Sequence, residues 1–201
     1  MQSDIYLRQK TLDLKIPESV AILGVGGIGS WVALDLALVG AKRLILVDPD
    51  LIEPHNLNRT PFRQQDIGKP KVQALAELIW ERRPDAEVIP VQGRAEDFVE
   101  LIKSVEVVID CRDIFKPLGV PVTAKLGYDG FKVTIHLNPR GDTVWGDEPV
   151  RYTTVPSFLV PPQLLASLIT LYIVTERTDR EEVITFDVRE VLEWARKGGR
   201  R

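Results

Sequence analysis

Apolar residues recur along the chain in two rhythms, and their alternation lays out the architecture. Residues 20–23 form a short continuous apolar run that enters Gly24-Val25-Gly26-Gly27-Ile28-Gly29; residues 31–39 are then apolar nearly all round, interrupted by Asp35. A strand buried on both faces, a tight turn and a buried helix carry this pattern. Gly40 stops the helix, and residues 43–47 form a second strand that ends at Asp48. Lys69 and Pro70 open a second helix, in which Val72, Leu75, Ala76, Ile79 and Trp80 fall on one face at helical spacing. Residues 87–91 and 106–109 read as further strands, with an amphipathic segment over 95–103 between them. This alternation predicts an α/β fold with a Rossmann-like, doubly wound and mostly parallel sheet.

Downstream the period changes. Phe131, Val133, Ile135 and Leu137 share one face, while Lys132, Thr134, His136 and Asn138 share the other. Such alternation predicts a half-exposed strand, so the C-terminal part is expected to add antiparallel strands, with 144–145 and 152–155 as partners. A helix over 163–177, a strand over 183–187 and a last helix over 190–197 complete the chain. The segment 49–68 is rich in proline, asparagine and aspartate and has no apolar period, which predicts a long functional loop without regular elements.

Composition narrows the classes of function. The 26 basic and 29 acidic residues give a net charge of −3, which argues against a broad electrostatic footprint for nucleic acid or an anionic membrane. Neither an apolar secretory run at the N-terminus nor a membrane-length apolar stretch is present, which points to the cytoplasm. Cys111 is the sole cysteine, so one chain can build neither an internal disulfide nor a multi-cysteine zinc site.

Gly24, Gly26 and Gly29 satisfy G-x-G-x-x-G between a strand and a helix, where backbone N–H groups meet a phosphate. Asp48 follows at the end of the second strand, where a carboxylate can accept both hydroxyls of a ribose. The motif alone leaves ATP and a dinucleotide open. The succeeding pieces favour ATP: Asn56-Leu57-Asn58-Arg59, Phe62-Arg63 and Gly68-Lys69-Pro70-Lys71 place four cations just after the second strand, which suits a triphosphate.

At this spacing the segment 48–71 resembles the nucleotide loop of the ThiF/MoeB/HesA adenylyltransferases, relatives of the ubiquitin-activating enzymes. The likeness is close over about residues 5–113. It implies an ATP- and Mg²⁺-dependent enzyme that activates the C-terminal carboxylate of a ubiquitin-like carrier protein or peptide as an acyl-adenylate. The expected nucleotide-binding set is Gly24, Gly26, Gly27, Gly29, Asp48, Asp50, Asn56, Arg59 and Lys71. Asp110-Cys111-Arg112-Asp113 is similar to the family's Asp-x-x-Asp, which makes Asp113 the magnesium carboxylate and Asp110 a hydrogen-bond acceptor at a strand end. Tyr6-Leu7-Arg8-Gln9 is similar to the family's N-terminal Tyr-x-Arg-Gln, whose arginine serves the neighbouring subunit's site in a homodimer. Arg59, Lys71, Asp113 and Arg8 are thus the expected catalytic residues. The chain reads as one domain, with an arm over 1–18, a nucleotide-binding half over 19–115 and a C-terminal half over 116–201.

The likeness is incomplete beyond Asp113. Ile114 stands where the family usually has asparagine, and no cysteine is placed for thioester chemistry; Cys111 is expected to be inert filler, although Arg112 beside it would lower its pKa. Two rivals therefore stay open: a non-catalytic dimeric scaffold that binds nucleotide, and an NAD(P)-dependent oxidoreductase that shares the glycine fingerprint. His55 and His136 are expected to be structural, and Arg63 and Lys69 to be solvated charges.

Overall fold

The computed structural model describes residues 5–113, 117–141 and 156–198. Its strands are β1 (Ser19–Leu23), β2 (Arg43–Val47), β3 (Glu87–Val91), β4 (Val107–Asp110), β5 (Ala124–Asp129), β6 (Lys132–Leu137) and β7 (Glu182–Asp187). They form one sheet in the order β3-β2-β1-β4-β5-β6-β7. The pairs from β3 to β5 are parallel, and β6 and β7 continue the sheet antiparallel. This is the Rossmann-like, doubly wound fold with an antiparallel extension.

Alternation along the central strands divides the core. Val20, Ile22, Leu44 and Leu46 face a large layer built with α1 (Gly27–Val39), α2 (Lys71–Trp80) and α4 (Val160–Thr175). Ala21, Leu23, Ile45 and Val47 face a smaller layer with Ala95 and Ile102, the latter from the short helix α3 (Val99–Ile102). Both faces of β1 and β2 are covered, which is why their sequences are continuously apolar. Helix α1 is sandwiched between the sheet and α4, which accounts for its nearly all-round apolarity. It ends at Gly40, whose φ of +122° lets its N–H reach the carbonyls of Leu36 and Ala37.

Several expectations need correction. Helix α1 starts at Gly27 rather than at Trp31, because the glycine turn is itself its first turn. The 49–68 segment is not featureless: it contains 3-10 turns at Pro54–Asn56 and Gln64–Asp66 and a bridge between Leu51 and Pro70. Fully buried Asp66 anchors it, accepting from Arg63 Nε at 2.9 Å and from Lys69 Nζ at 3.3 Å, so Arg63 and Lys69 hold the loop instead of facing water alone. Strand β6 is buried on both faces from Val133 to Leu137. Its polar residues are paired across the sheet: Thr134 meets Thr185 at 3.1 Å, and His136 meets Glu181 at 2.9 Å. Its partners are β5, which the sequence pattern does not signal, and β7; the expected partners 144–145 and 152–155 lie outside the described residues. Helix α4 starts at Val160, with Pro161 and Pro162 inside its first turn where their missing N–H groups are harmless. The chain closes with β7 and α5 (Val188–Arg196), whose N-cap Asp187 accepts from the Arg189 N–H at 2.9 Å.

Candidate functional site

The carboxyl ends of β1, β2 and β4 open into a cavity of about 780 Å³, within the range usual for small-ligand sites. Its floor is the glycine turn. Gly24 has φ +79°, and a Cβ on it would stand 3.0 Å from the Cys111 carbonyl oxygen, so glycine lets the chain leave β1 pressed against the end of β4. Gly29 is tighter still, since a Cβ there would fall 1.9 Å from the Gly24 carbonyl oxygen. Gly29 therefore sets the packing of α1 on its own turn and does not line the cavity, whereas Gly24, Gly26 and Gly27 do. Among the described residues no side chain caps α1, which leaves its first-turn N–H groups open to an anion.

Asp48 is 4% exposed and held rigidly: Oδ2 accepts from the Val25 N–H and Oδ1 from the Asp50 N–H, both at 2.8 Å. Burial pushes its carboxyl above the usual range, while Lys71 and the two N–H groups pull the other way. Lys71 Nζ lies 3.9 Å from Asp48 Oδ1 and 2.7 Å from Asp50 Oδ2, so one ammonium serves two carboxylates on the cavity wall. Arg59 also lines the cavity, its Nη1 donating to the His55 carbonyl at 2.5 Å and to Asn58 Oδ1 at 3.0 Å.

Asn56 is placed differently from the expectation. Its Oδ1 accepts from the Glu53 N–H at 3.0 Å in a reciprocal cap of the 3-10 turn, and it lies outside the cavity lining. Asp113 lines the cavity as an exposed carboxylate. Among the described residues no three His, Cys, Asp or Glu side chains are grouped to hold a metal by themselves. Asp110 accepts from Arg112 Nε at 2.9 Å and from Lys125 Nζ at 3.1 Å, and Arg112 Nη1 also binds Glu96 at 2.5 Å. Arg112 is thus committed to carboxylates and does not lower the Cys111 pKa: burial, reinforced by the Asp110 charge, pushes that thiol well up. His55 pairs with Glu53 at 3.1 Å on the surface.

Arg8 is far from the cavity of its own chain. The arm is pinned at the other end of α1, where Gln9 Nε2 donates to the Val39 carbonyl at 2.7 Å and the Tyr6 ring packs under Arg83 at 5.2 Å. Thirteen helical residues separate the two ends, roughly 20 Å.

The cavity also recruits residues that the sequence reading leaves out: Arg94, Glu96 and Asp97 after β3, Tyr128 from β5 and Ser157 before α4. None sits in a recognisable motif. For Arg94, Glu96, Asp97 and Tyr128 the only signal is position at strand ends, where open α/β sheets bind ligands; Ser157, ahead of α4, carries none.

Comparison with known proteins agrees with this geometry. The ThiF family pattern matches residues 8–117, more than half of the chain. The SAMP-activating enzyme E1 of Haloferax volcanii is 33% identical over 125 residues, which cover 57% of this chain and 46% of that protein. The sulfur carrier protein ThiS adenylyltransferase of Escherichia coli is 35% identical over 109 residues, covering 53% and 42% respectively. The chain thus spans less than half the length of either relative. A crystal structure of E. coli MccB with AMPCPP and MccA superposes with a TM-score of 0.68 at 18% identity, over 93% of this chain and 72% of that one, which is a likeness of fold. With the glycine turn, the carboxylate that follows β2 and the cationic loop all gathered at the matched residues, the chain belongs to the ThiF family.

Proposed function

We propose that this protein is an ATP-dependent adenylyltransferase that activates a C-terminal carboxylate. The observation that carries the reading is the convergence of the α1 N-terminus, Asp48, Lys71, Arg59 and Asp113 on one cavity. Asp48 holds the ribose, and the first-turn N–H groups of α1 take a phosphate. Lys71 and Arg59 neutralise the triphosphate, the arginine through a planar fork and the lysine as a compact charge. The acceptor carboxylate oxygen attacks the α-phosphorus, a new C–O–P link forms, and the bond to the β-phosphate breaks to release pyrophosphate. Two anions meet in that step, so fixed cations and N–H dipoles act where charge accumulates.

Magnesium fits the residues present. Mg²⁺ is usually held by one or two carboxylates with phosphate oxygens and water, and Asp113 is an exposed carboxylate on the cavity wall. A bound ion there would neutralise phosphate charge. Family membership and the names of the two relatives support a small ubiquitin-like carrier protein as the acceptor, with a peptide carboxylate as the alternative. The position of the arm at the far end of α1 supports a homodimer in which Arg8 serves the cavity of a second copy of the chain.

Pyrophosphate release measured against a panel of small carrier proteins and peptides tests the reading. Asp113→Asn should lower the rate at least about a hundredfold and Arg59→Ala by two to three decades. Arg59→Lys should recover little. Normal rates in both variants would remove these residues from the mechanism. MgATP binding with no pyrophosphate released for any acceptor would favour a scaffold, and tighter binding of NAD than of MgATP would favour an oxidoreductase.

A further inference from the structure

Tyr128 lies in β5, a strand without a sequence signal, yet its side chain reaches the start of α1. A Cβ placed on Gly27 would stand 2.8 Å from the tyrosine hydroxyl oxygen, 3.5 Å from Pro162 Cβ and 3.6 Å from Arg59 Cδ. Three segments distant in sequence therefore converge on the first residue of the helix. The hydroxyl shares a hydrogen bond of 2.5 Å with Ser157 Oγ. The Ser157 carbonyl accepts from Asn58 Nδ2 at 3.2 Å, and Asn58 Oδ1 accepts from Arg59 Nη1 at 3.0 Å. Tyr128, Ser157 and Arg59 all line the cavity, so they form one connected polar wall beside the glycine turn.

We propose that the Tyr128 hydroxyl is a phosphate-binding group, donating to a nucleotide phosphate seated on the N-terminus of α1. The inference rests on the nucleotide reading of the cavity and adds to it a ligand that no motif supplies. An oxygen that accepts from a first-turn N–H lies about 3 Å from that nitrogen. The tyrosine hydroxyl is close enough to the same residue to meet such an oxygen from the side. Serine can either donate or accept, so Ser157 donates to the phenolic oxygen and the Tyr128 proton turns to the anion. Arg59 closes the other side of the same anion, with its orientation held through Asn58 and Ser157. The requirement for glycine at 27 follows as well, since any side chain there would collide with the hydroxyl that the phosphate needs. A packing role alone asks only for an aromatic ring, which phenylalanine provides.

Calorimetric titration of the full chain with MgATP and, separately, with adenosine distinguishes these roles. Tyr128→Phe keeps the ring and removes one donor to a charged acceptor, so MgATP affinity should fall about tenfold or more. Adenosine affinity should stay within twofold, and the ligand-free thermal midpoint should match wild type. Unchanged MgATP affinity in the variant would overturn the inference while leaving the nucleotide reading intact. An equal loss for both ligands would overturn it too, by showing a general role in shaping the cavity. Failure of the wild type to bind MgATP would refute the nucleotide reading and the inference with it.

Discussion

Asp35 interrupts an otherwise apolar helix, and the structure turns that interruption into a measurable penalty. It sits on α1 one turn from Trp31 and one from Leu38, partly buried, and among the described residues no hydrogen bond or ion pair compensates it. Burial alone pushes its carboxyl up to about 6. In the unfolded chain the group titrates near 4. Between these values the folded protein holds the proton and the unfolded chain has released it, so stability falls as pH rises through the window. Above about 6 the full penalty is present; below about 4 it is absent. The displacement alone corresponds to roughly 3 kcal/mol, which partial solvent access reduces to about 1–2 kcal/mol. Asp35→Asn removes the ionisation and keeps the shape. Urea unfolding at a series of pH values should show the variant about 1–2 kcal/mol more stable than wild type at pH 7.5, or about 3–6 °C in midpoint. The two should converge at pH 4. A difference that stays constant across this range, or a variant less stable at pH 7.5, would refute the reasoning.

Two further expectations concern the site itself. Cys111→Ser should leave acyl-adenylate formation within about threefold of wild type, because a half-buried thiol whose pKa is pushed up is a poor nucleophile; mass spectrometry showing a thioester on the wild type, lost in the variant, would contradict this. Mixing Arg8→Ala with Lys71→Ala subunits should restore about a quarter of wild-type turnover per site, since hybrid dimers regain one complete site; no recovery after subunit exchange would mean that Arg8 does not act across an interface.

Legibility from sequence followed the physics of each segment. Strands β1 and β2 are covered on both faces and α1 is sandwiched, so continuous apolarity marks them unmistakably. The glycine turn and the buried place of Asp48 were legible because close backbone approach and a carboxylate clasped by two N–H groups restrict those positions to few residue types. Strand β5 was not legible: Lys125, Gly127 and Asp129 occupy half of its six positions, and neighbouring strands on both sides hold it in place. Strand β6 misled in the opposite direction, since Thr134 and His136 look solvent-facing by type but are buried through partners that arrive from β7 and from Glu181. Asn56 illustrates the limit of motif reading. Its Oδ1 caps a turn, a use that one-dimensional spacing does not distinguish from contact with a ligand.

The two backbone N–H groups that clasp Asp48 have a consequence for how affinity evolves in this cavity. The carboxylate is immobilised by Val25 and Asp50 before any ligand arrives, so its ordering belongs to the folding reaction and the ligand meets a finished acceptor. Substitutions that loosen the 24–29 turn, without touching a ligand atom, would therefore weaken binding of the proposed nucleotide and lower the melting temperature together. Selection for tighter binding and selection for a firmer fold pull on the same few backbone contacts here, and drift in one property drags the other along.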